Sequence, residues 1–252
     1  KAALAAAGGD MEKAVDVLRK RGLKVAEKKA GRVAADGLVA AWTADGVGAL
    51  VEVNCETDFV ARTEKFIALT QTLVAMVGAD PAAADPAVRQ QRDLGGRTVA
   101  EAVKELIGSI GENIVVRRAA RLAVPEGTPG LVTSYLHAGG KIGVLVGIGC
   151  ASVAGAKSEA VAKLAKDLAL QVCSAEPGYT SREQVPAEVL EHEREILRAQ
   201  PDLQGKPTAI QDKIIQGRLE KFYAERCLVD QLFIRDPEGK QKVKDVVAAA
   251  QK

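Results

Sequence analysis

Aromatic side chains are scarce in this chain: four Phe, three Tyr and one Trp, 3% of 252 residues. A core must therefore be built from Ala, Val, Leu and Ile. Histidine is scarcer still, with His137 and His192 alone, so no zinc site is expected. Cys55, Cys150, Cys173 and Cys227 stand far apart, without the paired spacing of a metal knuckle or a disulfide framework. Four scattered thiols suit a reducing compartment. No apolar run approaches the roughly 18–20 residues that span a bilayer; Gly143 to Ala151 is typical of the longest. An excess of one charge is missing too. The 35 Lys and Arg face 33 Asp and Glu, a formal net charge of +2, which argues against wholesale nucleic-acid binding.

What is present is an ordinary globular composition, 47% hydrophobic and 27% charged, at a length that suits two or three small domains. No charged-then-apolar leader opens the chain, and it starts at Lys1 rather than Met, so a missing beginning is expected. The segment "GGDMEKAVDVLRKRG" carries helix punctuation. Asp10 is placed to cap a helix burying Met11, Ala14, Val15 and Leu18, and Gly22 to end it in the left-handed conformation. From Arg19 to Arg32 seven basic residues stand with a single Glu27. They read as a solvated helix face and linker, or as contact with an acidic surface or RNA.

In "GLVAAWTADGVGALVEVN", Asp45-Gly46 between two apolar runs signals a tight hairpin. Val51 and Val53 fall on one face of its second strand, Leu50 and Glu52 on the other. Thr57 follows as the cap of a helix running to about Val77, with Phe66, Leu69, Leu73 and Val77 as its buried stripe. The unit then recurs in "GLVTSYLHAGGKIGVLVGIG". The offset is 93 residues before the turn and 95 after it, as a second loop two residues longer requires. A helix from Ser158 to Cys173 follows, with Val161, Leu164, Leu168 and Val172 in step. Two hairpin-plus-helix halves, each burying a sheet face under its own helix, give an α+β fold. Between them "TVAE" spells a capping box at Thr98 and Glu101, starting a helix to about Ile107, and "IGENIVVRRAARLAV" reads as a turn and a strand. After them, two helical patterns around Gly205 predict an antiparallel helical hairpin, and the last residues are helical.

The familiar chemical motifs fail. Gly140-Lys141 lacks the following Ser or Thr of a P-loop, and Tyr135 occupies the place of its leading Gly. "GVGALV" leads into a strand and lacks the third Gly of a dinucleotide fingerprint. No nucleophile elbow or acid/base pair stands out, so an enzyme is not indicated and no cofactor is expected. "NCETDFVARTEKF" differs. Periodicity leaves two readings of Phe59. It could share a buried face with Phe66, seven residues on, or stand out beside Asp58 as an apolar wedge for a partner's pocket. Asp58 could equally be a plain first-turn carboxylate. His137, near the tip of the second hairpin, is either an ordinary turn residue or a ring placed for docking.

"LRKRGLKVAEKKAGRVAADGLV", "VEVNCETDFVAR", "IGENIVVRRAARL", "HAGGKIGVLV" and "GKPTAIQDKIIQGRLEKFYAERCLVDQLFIRD" occur in that order. Over nearly its whole length the chain resembles the elongation factor Ts family, the guanine-nucleotide exchange factors of elongation factor Tu. Leu232 departs from a Pro common in the family after the preceding Gln. The resemblance implies that Thr57, Asp58, Phe59 and Val60 press on the partner's nucleotide-binding domain and dislodge its magnesium. Asp58 and Phe59 would wedge between helices, with His137 assisting at the same surface. It also implies an N-terminal helical module related to ubiquitin-associated domains, truncated at its front.

The expected architecture is α+β. It comprises a helical module over 1–32, a first core half over 33–129, a second over 130–182 and 228–252, and an inserted helical hairpin over 183–227. The expected partner is elongation factor Tu, GDP-bound or nucleotide-free, in a bacterial-type cytoplasm or organelle matrix. No direct contact with nucleic acid or membrane is expected, and the hairpin is suited to pairing with a second copy. The rival reading is an RNA- or ribosome-associated protein using residues 19–32. Salt dependence separates the two, since phosphate binding weakens steeply as salt rises.

Overall fold

The computed structural model describes residues 1–250 except Asp45, and Arg19 by its backbone alone. The fold is α+β, and the chain divides into two compact units, Lys1–Lys157 and Ser158–Lys252. In the first, α1 (Ala2–Ala6) precedes α2 (Met11–Lys29). Asp10 caps α2 as the sequence predicts, its carboxylate accepting from Lys13 N at 3.1 Å.

The rest of that expectation needs correcting. Gly22 does not end the helix, which continues to Lys29. It lies where α2 crosses α6 (Val99–Ile110): a Cβ on Gly108 would fall 2.3 Å from Gly22 Cα. Backbones this close demand small side chains at the crossing. The inward positions are accordingly Ala14 and Ala26, while Met11, Val15 and Leu18 are exposed at 68%, 58% and 58%. The small-residue face has displaced the larger apolar one from the interior.

The first sheet runs β1 (Asp36–Ala44), β2 (Val47–Cys55) and β3 (Val115–Ala123), antiparallel with β2 central. Of the predicted Asp45-Gly46 turn, Asp45 lies outside the described residues. Gly46 has φ 75°, and Ala44 pairs with Val47 across the loop. Ala40, Ala49, Val51 and Val53 turn one sheet face inward. They meet Phe66, Leu73 and Val77 of α4 (Glu64–Ala79), with Val99, Leu106 and Ile107 of α6 completing this core. Thr98 and Glu101 form the predicted capping box, Glu101 N donating to Thr98 Oγ1 at 3.2 Å and Thr98 N to Glu101 Oε2 at 2.9 Å.

The second hairpin, β4 (Gly130–His137) and β5 (Ile142–Gly149), rests against the opposite face of this sheet within the same unit. Its loop of residues 138–141 is two longer than the first, matching the shift in the repeat. The duplication continues past the strands. Thr57 and Ser152, 95 residues apart, each cap a four-residue helix, α3 (Asp58–Ala61) and α7 (Val153–Ala156). Thr63 and Ser158 then begin the long α4 and α8 (Glu159–Ala175). A short helix, α5 (Pro86–Gln91), lies in the connection between α4 and α6.

In the second unit α8 buries Val161, Leu164 and Leu168. The predicted helical hairpin is α9 (Ala187–Arg198) and α10 (Thr208–Arg226), closed by Leu197, Leu203, Ile215 and Leu219. The last helix is α11 (Val243–Ala249). No helix among the described residues is long and apolar enough to cross a membrane.

Candidate partner-binding site

One departure from the sequence reading shapes the site. Thr57 does cap a helix, its Oγ1 accepting from Val60 N at 3.4 Å, but that helix stops at Ala61 and a second begins at Glu64. The break turns Phe59 and Phe66 to different sides. Phe66 is wholly buried, whereas Phe59 is 80% exposed. A ring so exposed on a short, anchored helix forfeits the burial that would favour it inside, so the shared buried face is excluded.

Beside it Asp58 is partly exposed and accepts from Arg62 Nη2 at 2.9 Å. Val60 faces inward, 8% exposed, and joins the core with Ala61. It anchors the turn rather than offering surface. The candidate surface is thus Asp58 and Phe59, carried on Thr57 and Val60.

Thr57 is itself held. Glu112 Oε2 accepts from Glu56 N at 3.2 Å and Thr57 N at 3.1 Å, and Glu112 Oε1 from Thr57 Oγ1 at 2.8 Å. In return Glu56 Oε1 accepts from Asn113 N at 2.7 Å. Asn113 Nδ2 donates to Arg32 O at 2.7 Å, and Arg32 pairs with Glu56 at 2.9 Å. Just before the turn, Cys55 is wholly buried and its Sγ donates to Thr57 O at 3.1 Å. Burial, reinforced by the Glu112 and Asp36 carboxylates, pushes this thiol up to about 11. Sequence reasoning missed Glu112 and Asn113 because their partners lie more than fifty positions away.

His137 ends β4, exposed, with Tyr135 Oη 3.0 Å from its Nδ1. Its loop folds back on the start of β1. Val39 N donates to Gly140 O at 2.7 Å, and Lys141 Nζ donates to the Asp36 carboxylate and, at 3.1 Å, to Gly37 O. Asp36 pairs across the sheet with Cys55. The turn bearing His137 and the turn bearing Phe59 are therefore fastened to the same end of one sheet. Among the described residues no group of three or more His, Cys, Asp and Glu is placed to hold a metal ion.

A family model described as "Elongation factor TS" matches residues 56–252, starting within the Glu56–Thr57 turn. The chain belongs to the elongation factor Ts family. Relatives named elongation factor Ts extend the likeness to 94% of the chain. That of Clostridium botulinum is 43% identical over 238 residues and that of Nostoc punctiforme 44% over 239, each covered to 76% of its own length. That of Clostridium kluyveri is 40% identical over 242 residues, covered to 77%. As a member of the elongation factor Ts family the protein is a translation elongation factor of the protein-biosynthesis machinery.

Proposed function

We propose that this protein binds elongation factor Tu carrying GDP and promotes release of the nucleotide, so that GTP can replace it. The observation that carries the reading is the exposed Phe59 ring beside Asp58, set on a helix whose base is buried and hydrogen-bonded. In the family the matching residues are pushed against the partner's nucleotide-binding domain, where they dislodge magnesium. His137 acts at the same surface, and its attachment to the same sheet end supports a joint role. The protein performs no bond chemistry of its own in this reading.

The physics is linkage. Magnesium and protein donors neutralise the phosphates of bound GDP, so moving them weakens nucleotide binding. A factor that favours the nucleotide-free partner must in turn be released when nucleotide binds. Burying one phenylalanine ring contributes about 1.5–3 kcal/mol, roughly one to two decades in an equilibrium constant. That is too little to displace a tightly held nucleotide. A wider interface must supply the remainder, and the exposed stripe of Met11, Val15 and Leu18 on α2 is suited to part of it. The test is to mix the protein with elongation factor Tu loaded with fluorescent GDP and follow the signal. Release far above the spontaneous rate, persisting at raised salt, is expected. Absence of acceleration would refute the reading, and steep loss of binding with salt would favour a phosphate-binding role for residues 19–32.

A further inference from the structure

We propose that Glu112 is a positioning residue for this exchange site, its carboxylate setting the direction in which Asp58 and Phe59 leave the body. The inference rests on the exchange-factor reading and deepens it. Glu56 and Thr57 lie between the end of β2 and the start of α3, where neither ladder nor helix offers an acceptor for their N–H groups. Glu112 supplies one for both and takes the Thr57 hydroxyl as well, at 3.2, 3.1 and 2.8 Å. Bonds to an ionised acceptor are about twice as strong as neutral ones.

The arrangement is reciprocal. The Glu56 carboxylate accepts the N–H of Asn113, the neighbour of Glu112, so each loop's glutamate holds the other loop's backbone. Asn113 is tied in turn to the Arg32 carbonyl, and Arg32 to Glu56. A four-residue helix cannot hold its own direction, because helix nucleation is unfavourable at that length. Val60 and Ala61 pin its far end in the core, and Glu112 pins its start. Phe59 projects from between these two anchors, already ordered before any partner arrives. Ordering it only on contact would raise the cost of the inserted state. The rest of the interface would still bind, so the loss falls on the rate at saturation.

The experiment compares the wild-type chain, Glu112→Ala, Glu112→Asp, Glu112→Gln and the double variant Asp58→Ala/Phe59→Ala. Release of fluorescent GDP from elongation factor Tu is followed against factor concentration, with hydrogen exchange of the Glu56 and Thr57 amides in the free chain. Glu112→Ala is expected to lose the amide protection and to lower the saturated release rate about fivefold, the scale of ordering one side chain on binding, with little change in the half-saturating concentration. Glu112→Gln keeps a carbonyl for both amides and should retain most of the protection and the rate. Glu112→Asp, whose carboxylate is drawn back by one methylene, should fall between and serves if the Ala variant does not fold. A folded variant that has lost the protection yet releases GDP at the wild-type rate overturns the proposal, as does full protection in both Ala and Asp variants. If the double variant also releases at the wild-type rate, Asp58 and Phe59 do not carry exchange and Glu112 has nothing to position, whereas no acceleration by the wild-type chain means that the exchange-factor reading itself fails.

Discussion

Lys141 donates to the Asp36 carboxylate and to the Gly37 carbonyl, fastening the loop after His137 to the residue that pairs with Cys55. The ammonium, helped by the Gly37 N–H, holds the Asp36 carboxyl below its usual range. A depressed carboxyl contributes above its unfolded pKa and loses that contribution as pH falls through the folded value, so the tie is intact at neutral pH. Lys141 is exposed and Asp36 partly so, and pairs this open to solvent add little to global stability. Lys141→Met should therefore leave the thermal midpoint nearly unchanged while slowing GDP release, because the His137 loop loses its fixed place. Melting curves and release rates on the same preparation check both halves. An unchanged rate would show that the tie is not used in exchange.

Gly78 gives Trp42 its room. A Cβ there would stand 2.1 Å from the indole Cε3, a distance no real contact tolerates, and the indole is too large and rigid to give way cheaply. Gly78→Ala should destabilise the first unit by about 1–3 kcal/mol, the range for overpacking a filled core. Urea denaturation followed by Trp42 fluorescence reads the loss directly, since Trp42 is the only tryptophan.

The second unit has an acid-sensitive lock. Asp230, 2% exposed, takes Arg182 Nε at 2.7 Å and Nη2 at 3.0 Å, while the same guanidinium bonds Glu220 and stacks 4.5 Å over the Tyr223 ring. The Arg182 hydrogen bonds hold the Asp230 carboxyl below its usual value. Its contribution is complete above the unfolded pKa of about 3.9 and disappears as pH falls through the lower folded value. Asp230→Asn should cost about 2–3 kcal/mol at pH 7, somewhat under the usual penalty for breaking a buried pair because Arg182 keeps Glu220. That gap should narrow as pH falls through the lowered folded value and the wild-type carboxyl itself becomes neutral. Denaturant midpoints of both proteins across this range provide the check.

The local features were legible because their codes are local. The Thr98–Glu101 capping box, the Asp10 cap and each hairpin turn rest on residues within a few positions of one another, and the repeat shows when the chain is laid against itself. Gly22 was not legible, since a glycine that ends a helix and one that lets a helix touch another look alike in sequence. Only α6, some eighty positions away, decides which. The break before Glu64 did leave a signal. Thr57 and Thr63, six apart, are both N-cap residues, and Ser152 and Ser158 repeat that spacing 95 residues later. Glu112 left none, because its partners are distant amides that carry no mark in the chain.

Phe59 and Asp58 are proposed to act on a magnesium ion held by the partner, and stopped-flow release of fluorescent GDP from elongation factor Tu reads that action. The wild-type protein and Asp58→Ala/Phe59→Ala should be compared at saturation, with magnesium present and after its removal by a chelator. The double variant should still bind but release GDP at least about tenfold more slowly in magnesium, the lower bound from burying one ring, and the difference should narrow once the metal is gone. Equal rates in magnesium, or a difference that persists undiminished without it, would mean that these two side chains do not act through the metal.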